Sequence, residues 1–436
     1  MCVKIISEKK SHFGGMEMLI SLAVKNFLSF KNQVELNLVA SNRITESKGN
    51  LITLDDETQL LKSAVVFGPN ASGKTNLLVA VKHIQKMIIN SFKQTQEGEE
   101  LPVTPFVLNE NSRQAPTEFQ IKFIEDDILF DYKIVVTSKE VVEEYLSVDG
   151  QQVFKRVDKE IEIIDNDFVS NENLEKRQDF VRDNSLFVSV LAATNLVELK
   201  PFMNFFTENL NMFSAAHEMP QIYTTEIIKD EKKREIILHA LKKADLSIQD
   251  LSTKKFVPII PESIQESMPD EILNKMKEGQ IELQTEHNVY SDDGSIVDRT
   301  SVIANAFESS GTNSFLAFIG PIVDSLVEGK VLFIDEMDAL FHPLMTDFVV
   351  ELINGTNNND AQIIFTSHNT HHLNSNLFRR DQIWFVEKDN LEISHLTALL
   401  EFKRRKDENF EINYLKGNYG AIPVIKQYED SLFYHE

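Results

Sequence analysis

The chain has 436 residues, 44 Lys and Arg against 68 Asp and Glu, a formal charge of −24, and 42% hydrophobic residues. This ordinary globular composition allows two or three lobes around a sizeable core and excludes a disulfide-stapled miniprotein or a fibre. The single cysteine, Cys2, excludes an intramolecular disulfide or a cysteine-based metal site, and the acidic balance disfavours coating of nucleic acid or anionic membrane, which rests on clustered Lys and Arg.

Residues 1–15 read as a leader expected to be disordered, with Met16 or Met18 as an alternative start. The stretches LISLAVKNFLSF and QVELNLVA alternate apolar and polar residues, predicting a half-exposed hairpin joined near Lys31-Asn32. Ala64-Val65-Val66-Phe67 is a short apolar run closed by Gly68-Pro69, and Leu77, Leu78, Val81, Ile84, Met87 and Ile88 then recur at helical spacing. This is strand, loop, helix. Residues 117–148 alternate again around Asp126-Asp127, so a second antiparallel patch is expected to join the hairpin in one β lobe.

Residues 165–255 change character, with charged helical-looking stretches around the apolar segment SLFVSVLAATNLVELKPFMNFF. A mostly helical insert is predicted, without the sustained heptads of a long coiled arm. Pro258, Pro261 and Pro269 mark a connection, and residues 280–305 alternate around the turn Ser291-Asp292-Asp293-Gly294. Three continuous apolar runs follow, at 330–334, 362–366 and 382–386, each patterned as a strand covered on both faces of a parallel sheet. In such sheets ligands sit beyond the carboxyl ends of the strands, so 68–75, 335–336 and 367–368 are expected to converge. The expected division is a leader at 1–15, head segments at 16–110 and 301–436, a β lobe at 111–164 and a mostly helical, partner-binding insert at 165–300. No apolar run approaches the roughly 20 residues that span a bilayer, and the expected compartment is the cytoplasm.

Gly68-Pro69-Asn70-Ala71-Ser72-Gly73-Lys74-Thr75 matches the phosphate-loop pattern G-x-x-x-x-G-K-[ST] between a strand and a helix. The glycines let backbone amides turn inward around a β-phosphate, Lys74 reaches the β- and γ-oxygens, and Thr75 offers its hydroxyl to Mg²⁺. Asp335 is placed for the magnesium shell and Glu336 to polarise an attacking water, a division of labour suited to hydrolysis. His368, ending another buried strand, reads as a γ-phosphate sensor. Glu308-Ser309-Ser310-Gly311-Thr312-Asn313 precedes an apolar run and reads as the cap of a helix whose free amides and hydroxyls hold an anion.

This order of elements resembles the ABC-type ATPase head shared by chromosome-maintenance, RecF-like and overcoming-lysogenization-defect proteins. The resemblance implies an α/β fold, a P-loop NTPase head with a mixed sheet, helices on both faces and an antiparallel β lobe. GPNASGKT is then the Walker A motif, with Gly68, Pro69, Asn70, Ala71, Ser72, Gly73, Lys74, Thr75 and Asn76 binding ATP. FIDEMDALFHP is Walker B running into the D-loop, and TSHN carries the switch histidine, making Glu336, His368 and Lys74 catalytic and Thr75 and Asp335 the Mg²⁺ ligands. Ser309, Ser310, Gly311 and Thr312 fall where the family's LSGGQ signature sits, with Ser310 for the first glycine and Thr312 for the glutamine. His342 stands in place of the D-loop aspartate, and Gln120 is one candidate among several for the Q-loop glutamine.

LAVKNFLSF, TPFVL, ESSGT, DEMDALFHP, RRDQIWFVEK and YLKGNYGAIP further resemble the stand-alone AAA/ABC-like ATPases of bacterial two-gene phage-defence and abortive-infection systems of the RloA and AbiL kind. The resemblance implies two heads facing head to tail, each ATP lying between Walker A of one chain and Ser309–Thr312 of the other. Overcoming-lysogenization-defect nucleases carry a nuclease domain after the head, whereas only a short stretch follows His368 here. A toxic activity is therefore expected from a separately encoded effector protein, released by a phage-derived trigger. Arg379-Arg380 and Lys403-Arg404-Arg405-Lys406 read as solvated faces, or as a nucleic-acid or effector contact. The competing expectations are an ATP-driven clamp on duplex DNA in repair or maintenance, and a nucleotide-binding scaffold that hardly hydrolyses.

Overall fold

The computed structural model describes residues 15–54, 58–214, 221–257, 260–261, 265, 268–269, 273, 279–338, 342–355, 359–402 and 408–422. The leader, apart from Gly15, lies outside them, as do Pro258 and Lys403–Lys406.

The N-terminal alternation forms β1 (Met18–Lys25) and β2 (Val34–Asn37), paired antiparallel. Instead of being half-exposed, β1 is buried through seven of its eight residues. It lies between β2 and β6 (Thr117–Glu125), with Leu22 and Val24 in the main core and Met18 and Ile20 against the small hairpin of β3 (Leu51–Thr53) and β4 (Gln59–Leu61). The expected β lobe is completed by β7 (Ile128–Val136), β8 (Val141–Val148), β9 (Gln151–Val157) and β10 (Glu160–Ile163), in the order β10-β9-β8-β7-β6-β1-β2.

After β4, β5 (Ser63–Phe67) enters α1 (Lys74–Asn90), whose Leu77, Leu78, Val81, Ile84, Met87 and Ile88 are all buried. The next stretch is helical in α2 (Asn171–Gln178), α3 (Phe187–Ala193), α4 (Lys200–Asn204), α5 (Ile222–Ile227) and α6 (Glu231–Lys243). It also carries β11 (Leu210–Ser214), which joins the central sheet. Then come β12 (Asp250–Phe256), β13 (Gln280–Tyr290) and β14 (Ile296–Ile303), an antiparallel sheet in which β14 is exposed on both faces for most of its length. The chain closes with α7 (Ala304–Phe307), α8 (Ser310–Glu328), β15 (Val331–Asp335), α9 (Pro343–Asn354), β16 (Gln362–Ser367), β17 (Ile383–Lys388), β18 (Ser394–Ala398) and α10 (Phe410–Leu415).

The central sheet runs β11-β15-β16-β5-β17-β18, parallel except for β18. Its continuous apolar runs are explained by two cores. Ala64, Val66, Val331, Phe333, Ile364 and Trp384 face the core shared with α1 and the antiparallel sheet. Val65, Phe67, Leu332, Ile334, Ile363 and Phe365 face the core of α6, α8, α9 and α10. Burial of each such side chain contributes about 1.5–3 kcal/mol. The fold is therefore the α/β P-loop type, with a mixed sheet covered on both faces and an antiparallel β lobe. No helix among the described residues is long and apolar enough to cross a membrane.

Two buried carboxylates join the lobe to the rest. Glu144 accepts hydrogen bonds from Tyr132 Oη (2.8 Å) and from the amides of Phe187 (2.6 Å) and Val188 (3.0 Å), so it caps α3 from β8. Glu125, at the end of β6, accepts from Asn209 Nδ2 (2.7 Å) just before β11, and its other oxygen has no hydrogen-bond partner among the described residues. Burial pushes its carboxyl up to about 8, against the Asn209 hydrogen bond, and Glu17 and Asp126 add to the rise. Between the ordinary value of 4.5 and about 8 the folded chain holds a proton that the unfolded chain has lost, so this group's contribution to stability falls as pH rises through that window. Glu125→Gln should be more stable than wild type at the alkaline end and lose this share of the decline. Urea midpoints taken across the window check it, and a constant difference between the two proteins would show that Glu125 is already ionised.

Candidate functional site

The chain leaves β5 at Phe67, turns through Gly68–Gly73 and enters α1 at Lys74. Ala71 (φ 62°) and Gly73 (φ 113°) adopt left-handed backbone, the curvature that aims successive amides at an anion. A Cβ on Gly73 would lie 2.6 Å from both Ser29 Oγ and Ser394 Oγ, and one on Gly68 would collide with the carbonyl of Val386. Gly68 is thus required by close packing, and Gly73 by close packing and by conformation.

Ser29 and Ser394 brace the loop from behind. Ser394 Oγ donates to the carbonyl of Ser72 (2.5 Å), its amide donates to the carbonyl of Ser29 (2.8 Å), and Asn76 Nδ2 donates to Ser29 Oγ (2.7 Å). Sequence reasoning missed both serines. For Ser29 the signal was its place in LAVKNFLSF, a segment unexplained by phosphate chemistry. Asn26 in the same segment donates to the carbonyls of Ser112 (2.9 Å) and Ala115 (2.8 Å), and the amide of Leu28 donates to Thr104 (3.0 Å), so TPFVL packs against it.

Lys74 is buried and its Nζ donates to the carbonyls of Gly68 (2.8 Å) and Pro69 (3.1 Å). Burial lowers its pKa, while the negative charges of Asp335, Glu336 and Asp338 hold it up. Asp335 ends β15 and Glu336 follows it, as expected, with Asp338 two residues further on. Asp335 is buried and accepts from Thr366 Oγ1 (2.7 Å), which in turn accepts from the amide of Glu336 (2.7 Å). Glu336 has φ 54°, left-handed backbone that turns its side chain off the strand line; for a non-glycine this is a local strain that the Thr366 bridge holds in place.

His368 is exposed at the end of β16, and its amide donates to Asp338 Oδ2 (2.9 Å). Partial burial and then the Lys74 charge lower its pKa, opposed by Asp338, Glu336 and Asp335, which favours neutral imidazole near pH 7. Asp338 is a third residue that sequence reasoning passed over, although it stands three positions beyond Asp335 in DEMD. Ser367 Oγ contacts His372 Nδ1 (3.1 Å), bracing the segment behind His368. Thr75, Asn70 and Ala71 are exposed. Turned amides, one ammonium, a hydroxyl and oxygen-only carboxylate donors fit a polyphosphate with a hard divalent cation.

The serine-glycine segment lies elsewhere on this chain. Ser309 caps α8, its Oγ accepting from the amide of Thr312 (3.2 Å), and Ser309 and Ser310 are exposed while Gly311 and Thr312 are half-buried. Among the described residues no hydrogen bond or ion pair joins 308–312 to the phosphate loop. His342, which stands in place of the D-loop aspartate, caps α9, Nδ1 accepting from the amide of Leu344 (3.3 Å). Gln120 donates to Asp131 (2.6 Å) across the antiparallel sheet.

Arg379 overturns both readings made for it. It is buried, forks onto Asp381 (3.0 and 2.8 Å) and donates to the carbonyls of Ser41 (3.2 Å) and Glu46 (3.0 Å), tying the start of β17 to the N-terminal segment. It is therefore neither a solvated face nor free for nucleic acid. The described part of YLKGNYGAIP, residues 414–422, folds back on β17, Tyr414 and Tyr419 stacking on Phe385 at 5.6 and 5.1 Å. Between that segment and the outer side of the phosphate loop lies a groove of about 620 Å³ lined by Pro69, Asn70, Lys388 and Gly420 among others.

Residues 63–374, more than half of the chain, match the protein-family model described as "AAA domain, putative AbiEii toxin, Type IV TA system". No curated protein matches the sequence. Among solved structures the chain is similar to the SMC head domain from Thermotoga maritima, at 12% identity over 87% of this chain and 98% of that one, with a TM-score of 0.40. It is similar to an SMC head bound to the C-terminal winged-helix domain of ScpA, at 12% identity over 87% and 97%, with a TM-score of 0.41. It is also similar to an SMC head with an extended coiled coil bound to the C-terminal domain of ScpA derived from Pyrococcus furiosus, at 12% over 88% and 96%, with a TM-score of 0.37.

Thr366→Val keeps the shape of a fully buried side chain while leaving Asp335 Oδ1 and the Glu336 amide without their partner. It should cost about 1–3 kcal/mol of unfolding free energy, measured by urea titration. An unchanged midpoint would show that this bridge is not what holds the end of β15.

Proposed function

This chain belongs to the AAA-domain family whose model spans its central residues, and on that premise we propose that it is a Mg²⁺-dependent ATP hydrolase. In this reading its heads pair around ATP, and it holds or regulates a separate effector protein in antiviral defence. The observation that carries the hydrolase is the electrostatic grouping of Lys74, Asp335, Glu336, Asp338 and His368 at the carboxyl edge of one parallel sheet. The amides of 70–75 and Lys74 hold the phosphates, Thr75 and Asp335 hold Mg²⁺, Glu336 orients and activates water, and neutral His368 donates to the γ-phosphate. Bound Mg²⁺ neutralises charge on the terminal phosphates.

Pairing of heads is supported by Gly311. Unlike Gly73 it has no left-handed backbone, and unlike both Gly68 and Gly73 it is uncrowded, since a Cβ there would meet nothing nearer than Ser309 Oγ at 3.9 Å. Glycine in a helix costs up to about 1 kcal/mol relative to alanine, and among the described residues nothing requires it at this position. Close approach of a second chain does. An effector protein is supported over a long DNA footprint by the net charge of −24, by the burial of Arg379, and by exposed Tyr290, Ile296, Val297 and Phe307 around the β12–β14 sheet. The family description, which names a putative toxin of a toxin–antitoxin system, fits an ATPase that is one of two components. Cytoplasmic action and release by a phage product complete the reading.

Glu336→Gln should lower kcat by about 10²- to 10⁴-fold, retain ATP binding and keep the ATP-bound assembly together. Purified with ATP and Mg²⁺ beside the products of its neighbouring genes, it should bring down a stoichiometric protein, identified by mass spectrometry. Duplex DNA without a protein partner would point to a clamp, and unchanged turnover to a scaffold. Gly311→Ala should leave the isolated chain as stable as wild type or up to about 1 kcal/mol more stable, yet weaken ATP-driven pairing in sedimentation; normal pairing would remove the argument from Gly311.

A further inference from the structure

The residue directly before the exposed serines is held by the three-stranded sheet. Glu308 Oε1 accepts from Thr285 Oγ1 (2.6 Å) and meets His287 Nε2 (2.8 Å), both from β13, and the Phe307 ring lies 5.3 Å from the His287 ring. Thr285 is fully buried, and the side chains of His287 and Glu308 are 20% and 10% exposed. On the other side, Asn313 Nδ2 donates to the carbonyl of Glu308 (3.0 Å), and Asn313 Oδ1 accepts from Gln221 Nε2 (2.7 Å). The first turn of α8 is thus tied by its flanking residues to β13 and to the start of α5, while Ser309 and Ser310 stay exposed.

None of these contacts reaches the chain's own phosphate loop. A carboxylate with two side-chain donors, one of them at the fully buried Thr285, is more than a helix cap needs, because Ser309 already caps α8. We propose that His287 and Thr285 are positioning residues for the partner copy's nucleotide: by fixing Glu308 they set the attitude of Ser309–Thr312, and through them the β12–β14 sheet is coupled to ATP-driven pairing. The inference rests on the reading that two heads pair around ATP.

His287→Phe and Thr285→Val keep shape and remove a donor, whereas His287→Gln keeps one. Each is tested for fluorescent-nucleotide binding, ATP-dependent pairing and hydrolysis, alone and mixed with Lys74→Ala, which is itself expected to be inactive. Binding by the single chain should stay within about twofold of wild type, and pairing should weaken about tenfold, the scale of one charge-assisted hydrogen bond. His287→Gln should recover most of the loss. Mixing His287→Phe with the inactive Lys74→Ala should raise hydrolysis above that of His287→Phe alone, because one composite site then combines an intact phosphate loop with an intact serine-glycine turn. Should His287→Phe not fold, Thr285→Val carries the same test.

Normal pairing by both variants overturns the proposal, as does a defect that mixing fails to repair, or loss of nucleotide binding by the single chain. Wild-type protein that hydrolyses ATP without pairing would instead remove the reading on which it stands.

Discussion

Every polar group of the site hangs from the carboxyl ends of β5, β15 and β16, whose backbones are locked in parallel register between two apolar cores. A strand buried on both faces cannot slide by one residue without moving its whole side-chain set into the wrong core. Register is therefore strongly specified, and with it the relative positions of Lys74, Asp335 and His368. Thr366 extends this constraint from backbone to chemistry. As the last buried residue but one of β16, it reaches sideways to the end of β15, fixing Asp335 and the left-handed turn at Glu336 together.

The charges gathered there limit what the site can accept. Three carboxylates beside one buried ammonium repel a polyphosphate by itself, since like charges in a partly desolvated setting interact far more strongly than in water. On the proposed reading a divalent cation bound with the phosphates reverses that balance, so cation and nucleotide are held together. The remainder of an acidic chain does not counteract this, because the lysine sits within hydrogen-bond reach of its own loop carbonyls and close to the anions that keep it charged.

What was legible in the sequence follows from the same physics. Continuous apolar runs mark strands covered on both faces, and α1 showed its buried stripe, so most of the central sheet and the lobe could be read directly. β11 could not: five residues, LNMFS, with only Leu210 fully buried, offer no run to distinguish them from the helical surroundings. Arg379 read as solvated because charge in sequence predicts exposure, and only the fold brings the carbonyls of Ser41 and Glu46 to its guanidinium. The bracing role of Ser29 and Ser394 went unread for a related reason. They act across 365 positions of sequence, through hydrogen bonds that no local pattern encodes.

α8 joins the two parts of the proposed composite site, since its first turn presents Ser309–Thr312 and its end delivers β15. It is not uniform. Pro321 lacks the amide that would close the turn onto Ala317, and Thr224 Oγ1 fills in, donating to the carbonyl of Leu316 at 2.6 Å beside that of Ala317 at 3.5 Å. Gly320 has no room for a Cβ against Thr224. Beyond this point Asp324 accepts from Tyr223 Oη (2.7 Å), Lys233 Nζ (2.8 Å) and Lys330 Nζ (2.9 Å), which, against its burial, hold it below the ordinary carboxylate range. The segment after Pro321 is thereby pinned to α5, α6 and the entry to β15. The segment before it is pinned through Asn313 to α5 and through Glu308 to the β12–β14 sheet. A displacement of that sheet bears first on the exposed serines, and the proline turn and the Asp324 network separate it from the strand that carries Asp335.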